Sequence, residues 1–122
     1  MSGLPSSTLI GLGILLIGLS PAAKAEQFVV VYKSAKVLDV VEIDVDSIRT
    51  GEHGLAYYTD KSSFGLSHGA ADCKGRKLYT LESEFGSAGH MQPMPDWEKQ
   101  GRAVKKGTKG DTVLAFVCAR AP

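Results

Sequence analysis

The segment Gly65-Leu66-Ser67-His68-Gly69 matches the G-x-S-x-G pattern that surrounds the nucleophilic serine of many hydrolases. In those enzymes the serine lies on a sharp turn between a strand and a helix, and the triad histidine comes from a distant part of the chain. Here the pattern is flanked by Ser62-Ser63 and Ala70-Ala71, and its neighbouring histidine is His68 itself. We therefore predict a flexible loop between strands. A minimal hydrolase acting through Ser67 is the least favoured functional class.

Acidic residues are concentrated in one segment of the chain, where Glu42, Asp44 and Asp46 raise the question of a calcium site. An EF-hand loop needs oxygen ligands at its first, third and fifth positions and glycine at its sixth. Counting from Asp44 places Arg49 at the sixth position. The spacing disfavours an EF-hand and predicts a turn in which Asp46 or Ser47 caps the backbone.

A basic segment follows near the end of the chain, from residue 102 to residue 109, and contains no acidic residue. Its four cations, called the basic patch below, are Arg102, Lys105, Lys106 and Lys109. Such a patch can contact an anionic glycan, a lipid phosphate or an acidic protein surface. It lacks interleaved aromatic residues, which disfavours single-stranded nucleic acid. The alternative is ordinary solvated charge on a surface loop.

The chain has two cysteines, Cys73 and Cys118. They do not form a C-x-x-C pair, and a zinc site would need two more ligands from the scattered histidines His53, His68 and His90. In an oxidising compartment two such thiols predict a disulfide. A free reactive thiol and a metal pair are the alternatives.

The first 25 residues predict export. Leu9–Leu19 consists only of Leu, Ile and Gly. This run is shorter than the roughly 20 residues that cross a bilayer and fits the apolar core of a signal peptide. Ala23 and Ala25 supply an A-x-A cleavage pattern. We predict a signal peptide over residues 1–25 and a soluble mature domain over residues 26–122, periplasmic or secreted; an uncleaved membrane anchor is the alternative.

Composition bounds the remaining classes. Of 122 residues, 43% are hydrophobic and 22% are charged, and the formal net charge is +1. These values predict one globular domain and exclude a disordered tail protein. A net charge as small as +1 provides no overall basic field for a polyanion, which disfavours a dedicated nucleic-acid binder.

Alternating and β-branched segments predict the elements that position these residues. The predicted strands are Glu26–Lys33, Val37–Val45, Leu55–Lys61 and Asp72–Glu84, the last interrupted at Gly75. Gly86–Pro95 predicts a loop that Trp97 closes against the domain. The aromatic residues Tyr57, Tyr58, Tyr79, Phe85 and Trp97 are expected in the core.

The last element is ambiguous between strand and helix. Val113–Val117 has strand propensity, but Val113, Leu114, Val117 and Cys118 share one helical face. Thr108 and Asp111 also resemble a helix cap. We predict a short helix. The fold class is therefore α+β, an antiparallel meander with a short C-terminal helix packed on it and one disulfide.

The order of these features resembles the surface-adhesin protein E-like family of small exported bacterial proteins, over nearly the whole mature chain. The resemblance rests on Asp44-x-Asp46-Ser47-Ile48, on Asp72-Cys73 and on Val117-Cys118. It implies an antiparallel sheet with helical packing, a Cys73–Cys118 disulfide and an envelope or surface location. The named member adheres to host matrix proteins, and no binding residue of that adhesin maps onto this chain.

Together these observations predict a non-catalytic, exported binding or structural domain of the cell envelope, adhesin-like and without a cofactor. A protein or an anionic glycan or lipid is the expected partner, and nucleic acid is not. The alternative is a secreted inhibitor of another enzyme, since small disulfide-linked domains often have that role.

Export and oxidation predict a defined mature species. Intact mass spectrometry of the exported protein should give a chain that starts at Glu26 and is lighter than its dithiol form by two hydrogen atoms. Recovery of a membrane-embedded chain that still starts at Met1 would contradict both the cleavage and the compartment.

Overall fold

The computed structural model describes residues 26–36, 38–84 and 89–122. The elements within these ranges are strands β1 (Phe28–Lys33), β2 (Val40–Asp44), β3 (Arg49–Thr50), β4 (Ala56–Ser62), β5 (Gly65–Asp72), β6 (Lys77–Ser83), β7 (Gln92–Pro93) and β8 (Arg102–Ala103), and helix α1 (Lys109–Arg120). Three single 3-10 turns cover Val45–Ser47, Glu52–Gly54 and Trp97–Lys99. The predicted signal peptide, Val37, and residues 85–88 lie outside the described residues.

The strands form one antiparallel sheet in the order β1-β2-β4-β5-β6-β7. The two-residue strand β3 pairs with the part of β4 that β2 does not reach, and β8 pairs with the start of β6. Consecutive long strands are therefore neighbours, and α1 packs on the sheet from the end of the chain. This arrangement confirms the predicted α+β meander with a C-terminal helix.

Strand β5 corrects the prediction of a flexible loop at Gly65–Gly69. The pair Ser62 and Gly65 closes a hairpin, so only Ser63 and Phe64 connect β4 to β5. Gly65 has φ +108°, a conformation that favours glycine at the hairpin exit. The loop prediction was wrong because β5 lacks β-branched residues. It is a strand because β4 and β6 both pair with it.

The region predicted as one strand, Asp72–Glu84, is two. Asp72 ends β5, and its Oδ1 accepts a hydrogen bond from the backbone N–H of Gly75 at 2.8 Å. Arg76 has φ +55° and completes the reversal before β6. Cys73 therefore lies in a tight turn instead of a strand.

The acidic segment after β2 forms a capped turn, but the capping residue differs from the prediction. Asp44, which is 7% exposed, accepts hydrogen bonds on Oδ1 from the backbone N–H groups of Gln27 and Asp46. Ser47 Oγ donates to the carbonyl of Asp44 and accepts from the N–H of Thr59. Ser47 thus has the predicted backbone-binding role. Asp46 does not, because the carboxylate at the N-cap position is that of Asp44.

Helix α1 confirms the helical interpretation of the last element. Thr108 caps it by accepting a hydrogen bond from the N–H of Asp111 at 3.2 Å. The buried face carries Val113, Leu114 and Val117, which pack with sheet residues. The sheet side of this core consists of Val41, Ile43, Ala56, Tyr58, Ala71 and Leu78. None of the helices within the described ranges has the length and apolar character needed to span a membrane.

The aromatic residues divide between the core and the opposite side of the sheet. Tyr58 is in the core, whereas Tyr57, Tyr79 and Trp97 are half-buried. Trp97 packs edge-on against Tyr79 with ring centroids 5.7 Å apart, as expected for a residue that closes the preceding loop. That loop is interrupted by β7, a short strand that the sequence did not predict. Phe85 lies outside the described residues.

The disulfide between Cys73 and Cys118 is present. It joins the turn between β5 and β6 to the last turn of α1, and the two cysteines are separated by 45 positions in the sequence. The bridge therefore holds the only helix of the described residues to the centre of the sheet.

Breaking this bridge should destabilise the domain. In the chain-entropy model a loop of this length contributes about 4 kcal/mol, so Cys73→Ser or Cys118→Ser should lower the free energy of unfolding by that order. Urea titration of the wild type and each variant measures the loss. Equal thermal stability of oxidised and reduced wild type would contradict it.

Candidate functional site

Helix α1 covers only part of one face of the sheet, and the uncovered part of that face contains the candidate site. The register places Tyr58 opposite Gly69, Asp60 opposite Ser67, and Ser62 opposite Gly65 on that face. Past Tyr58 these side chains are small or polar, and a cavity of about 300 Å³ opens there beside the first turn of α1. The apolar residues that line it are Val41, Phe64, Leu78 and Val113. The polar ones include Tyr58, Asp60, Ser67, Thr80, Arg102 and Lys109.

Glycine at position 69 is required by the position of Tyr58. A Cβ placed on Gly69 would lie 2.7 Å from the Tyr58 hydroxyl oxygen, closer than van der Waals contact allows. The tyrosine ring therefore lies across β5 where that strand has no side chain. The small residues of β5 gave no strand signal in the sequence. They leave the space in which the Tyr58 ring lies beside the cavity.

The Tyr58 hydroxyl is buried without a protein hydrogen-bond partner. The residue is 5% exposed, and within the described ranges its hydroxyl forms no hydrogen bond to protein. Burial raises the pKa of Tyr58 far above its ordinary value; the Asp60 carboxylate raises it further and Arg102 opposes both. Tyr58 is therefore a neutral hydroxyl that can donate a hydrogen bond into the cavity.

Asp60 is the acidic group of the cavity. The hydroxyl of Ser67 donates a hydrogen bond to its Oδ1. Burial raises the pKa of Asp60 above its ordinary value, and the Ser67 hydrogen bond and the charge of Arg102 act in the opposite direction. No ion pair compensates the carboxylate among the described residues.

Two members of the basic patch, Arg102 and Lys109, line this cavity. Lys109 Nζ lies 2.9 Å from Asp39 Oδ2, and it is also 6.0 Å from the centre of the Tyr32 ring. Arg102 lies on β8 opposite Leu78 and forms no ion pair with any described residue. The two cations of the cavity therefore differ: Lys109 is already paired with Asp39, whereas Arg102 is available to bind an anionic group.

The other two members of the basic patch, Lys105 and Lys106, are exposed just before α1. Lys105 and Arg102 share a second surface depression on the outer side of β8 and the helix start. The fold brings one acidic residue, Asp39, to the patch from a distant part of the sequence, and Asp111 follows the patch closely in the chain. Asp39 pairs with Lys109, and Asp111 pairs with Arg76 at 2.8 Å.

Ser67 and His68 do not form a nucleophile–base pair. They are consecutive in β5, so their side chains point to opposite faces of the sheet. Ser67 binds Asp60, while His68 Nδ1 lies 3.5 Å from Glu82 Oε2 on the other face. The strand–turn–helix geometry of a nucleophile elbow is replaced here by a continuous strand. In the described part of the chain, no cluster of three or more His, Cys, Asp or Glu side chains is arranged to hold a metal ion.

Sequence reasoning found Arg102 and Lys109 through their charge but missed Asp60 and Tyr58. Both belong to the segment Leu55–Lys61, whose alternation predicts a strand without showing which face is buried. The available signal was the small residues at alternate positions of β5, Gly65, Ser67 and Gly69. It becomes informative only once β5 is known to be a strand.

Comparisons with models of protein families, with curated proteins and with solved structures find no match to this chain. The resemblance to the surface-adhesin protein E-like family therefore stays a prediction.

The raised pKa of Asp60 predicts a pH dependence with a defined sign. Folding favours the protonated carboxyl, so this contribution to stability is complete below the unfolded pKa, near 3.8, and is lost as pH rises through the folded pKa. Relative to wild type, Asp60→Asn should therefore become more stable as pH rises from about 3 to about 7. Urea titrations across this range measure the difference.

Asp111 provides the control with the opposite sign. Hydrogen bonds from Arg76 and from the N–H of Gly107 lower its pKa, so its contribution is present above the unfolded pKa and is lost as pH falls through the folded pKa. Relative to wild type, Asp111→Asn should lose stability as pH rises over the same range. A pH-independent difference between wild type and Asp60→Asn would show that burial does not perturb Asp60.

Proposed function

We propose that the protein is a non-catalytic, exported binding or structural domain of the cell envelope, and that its basic patch contacts an anionic partner. The observation that carries this proposal is the grouping of all four cations at one place, the start of α1. Arg102 and Lys109 line the cavity beside the helix, and Lys105 and Lys106 are exposed between them in the chain. The helix dipole adds positive potential at the same end.

The disulfide supports the predicted compartment. Cys73 and Cys118 are joined, and disulfides persist in secreted, periplasmic and surface proteins, whereas cytosolic thiols are kept reduced. The predicted signal peptide provides a route to such a compartment. Periplasmic or secreted location is therefore part of the proposal.

The geometry of the basic patch favours a partner with distributed negative charge. Lys105 and Lys106 are exposed cations on a short segment, and exposed charges attract a partner without holding it in one geometry. An anionic glycan, a lipid phosphate and an acidic protein surface all offer such charge. Asp39 and Asp111 beside the patch lower the local charge, so the expected interaction is weak and salt-sensitive.

Adhesion is the function that the family resemblance implies, and enzyme inhibition is the alternative for a small disulfide-linked domain. Pull-down from envelope and host-matrix fractions separates them. Recovery of matrix proteins supports adhesion, and recovery of an enzyme whose activity falls on addition of the domain supports inhibition.

The non-catalytic part of the proposal rests on the separation of Ser67 from His68 on opposite faces of β5. The hydrolase pattern needs a histidine base within hydrogen-bond reach of the serine, whereas the group that Ser67 reaches is the Asp60 carboxylate. Incubation with a serine-reactive fluorophosphonate should leave Ser67 unlabelled. Covalent labelling of Ser67 would overturn this part of the proposal.

The basic patch can be tested by charge reversal. The wild-type domain should be retained weakly on heparin and on anionic vesicles, and modest salt should release it because the Debye length is about 10 Å at 0.1 M. The double variant Lys105→Glu, Lys106→Glu should lose retention and keep its unfolding midpoint, since surface charges contribute little to stability.

A matched control makes the same charge change elsewhere. Lys74→Glu combined with Lys99→Glu reverses two exposed lysines outside the basic patch and should retain most of the binding. If both double variants lose heparin and vesicle binding equally, the binding responds to net charge and not to the basic patch. If the patch variant binds as the wild type does, the four cations are ordinary solvated surface charges.

A further inference from the structure

Two opposite charges, Asp60 and Arg102, line the same cavity without pairing. Arg102 lowers the pKa of Asp60, so the two groups interact through the cavity, yet they form no ion pair. Neither has another ion-pair partner among the described residues. The Asp60 carboxyl is partly desolvated, and an uncompensated charge away from water is costly. Arg102 is exposed to solvent, so its charge remains hydrated without a partner. The two residues belong to β4 and β8, which are not neighbours in the sheet.

The other cation of the cavity is not equivalent to Arg102. Lys109 is already neutralised by Asp39 and lies over the Tyr32 ring. The charges that remain for a bound molecule are therefore one carboxylate and one guanidinium. The guanidinium presents a planar set of donors that matches a carboxylate.

A third group supports a ligand in this space. The Tyr58 hydroxyl is almost completely buried and has no protein hydrogen-bond partner in the described ranges. It lines the same cavity as Asp60 and Arg102, and both charges influence its pKa. A buried hydroxyl that makes no hydrogen bond is unfavourable, and a ligand oxygen can accept the missing one.

We propose that the cavity binds a small zwitterion, an α-amino acid with an apolar side chain. Its ammonium group pairs with Asp60, and its carboxylate accepts hydrogen bonds from Arg102 and from the Tyr58 hydroxyl. Its side chain packs against Val41, Leu78 and Val113. This inference goes beyond the proposed function, since it requires neither export nor the exposed lysines of the basic patch.

Size and charge both favour this class of ligand. A volume of about 300 Å³ is at the lower end of small-molecule sites, which suits a single amino acid better than a larger metabolite. A simple anion would satisfy Arg102 but face the Asp60 carboxylate, and a simple amine would satisfy Asp60 but face Arg102. Only a molecule that carries both charges compensates both groups.

Ser67 has a positioning role in this site. Its hydroxyl donates to Oδ1 of Asp60, and a carboxylate has further acceptor sites for an ammonium group. The residue that matched a hydrolase pattern is thus assigned to holding the acidic half of a binding site.

The first test uses only the wild-type domain, so it does not depend on any variant folding. Its ligands are three apolar amino acids and two analogues of L-leucine that each carry a single charge. Titration calorimetry at neutral pH should detect millimolar or tighter binding of L-leucine, with L-valine and L-methionine as further apolar probes. Backbone amide NMR shifts should move at Ser67, Arg102 and Gly110, which line the cavity. Removal of one charge, in 4-methylpentanoate or in 3-methylbutylamine, should weaken binding at least about tenfold.

Three variants test the residues of the site. Asp60→Asn and Arg102→Gln should each weaken L-leucine binding at least about tenfold, and Tyr58→Phe should weaken it less because it removes one neutral hydrogen bond. The matched controls are Glu82→Gln, which lies on the opposite face of the sheet, and Lys77→Gln, next to β8 but outside the cavity. Both controls should bind as wild type does, and thermal unfolding verifies that all five variants fold.

Three results would overturn the proposal. They are the absence of binding by all three amino acids at millimolar concentration, binding of 4-methylpentanoate as tight as that of L-leucine, and amide shifts that avoid the cavity. The second result would indicate a plain anion site. The proposed function is tested by heparin binding through Lys105 and Lys106, which are not part of the amino-acid site. Failure of the amino-acid site can therefore be distinguished from failure of the proposed function.

Discussion

One helix packs on one face of the sheet and does not cover all of it. Helix α1 contacts β1, β4, β5 and β6, and its core cluster includes Ala56 and Ala71 but not Asp60 or Ser67, which lie further along β4 and β5. Helix α1 therefore buries one part of the face and leaves the other part to side chains alone. Where it packs, the sheet presents Ala56, Ala71 and Leu78. Where it ends, the sheet presents Asp60 and small residues, and the cavity follows from this difference.

The position of the helix decides the shape of that cavity, and both ends of the helix are attached to the sheet. The Cys73–Cys118 bridge holds the last turn to the β5–β6 turn. At the first turn, Lys109 pairs with Asp39 and Asp111 pairs with Arg76. Exposed ion pairs contribute little stability, so the covalent bond supplies most of the attachment and the ion pairs set the orientation of the free end. The disulfide and the cavity are thus parts of one arrangement, although they lie at opposite ends of α1.

Much of the fold was predictable from local pattern, and the exceptions have a common cause. The alternation in β2 and the cap at Thr108 are local signals that survive in the structure. Strand β5 carries no such signal, because it consists largely of Gly, Ser and Ala. At Gly69 a side chain would collide with the ring of Tyr58. Only its pairing with β4 and β6 makes it a strand. In the candidate site, charge alone marked Arg102 and Lys109, while Asp60 and Tyr58 could be placed only from the register.

The identity of residue 60 is informative because it works against stability. The inward positions of β4 are Ala56, Tyr58, Asp60 and Ser62, and an apolar residue at the third of these would fill the cavity without a desolvation cost. Instead the position carries a carboxyl whose pKa is raised by burial, so its ionised form opposes folding near neutral pH. Residues that break a local rule without stabilising the fold are concentrated at functional sites. The Asp60 carboxylate and the buried Tyr58 hydroxyl are two such groups beside one cavity, and the exposed Arg102 guanidinium lines the same cavity. The proposed ligand, which would pair with all three, offers one explanation for the two unfavourable groups.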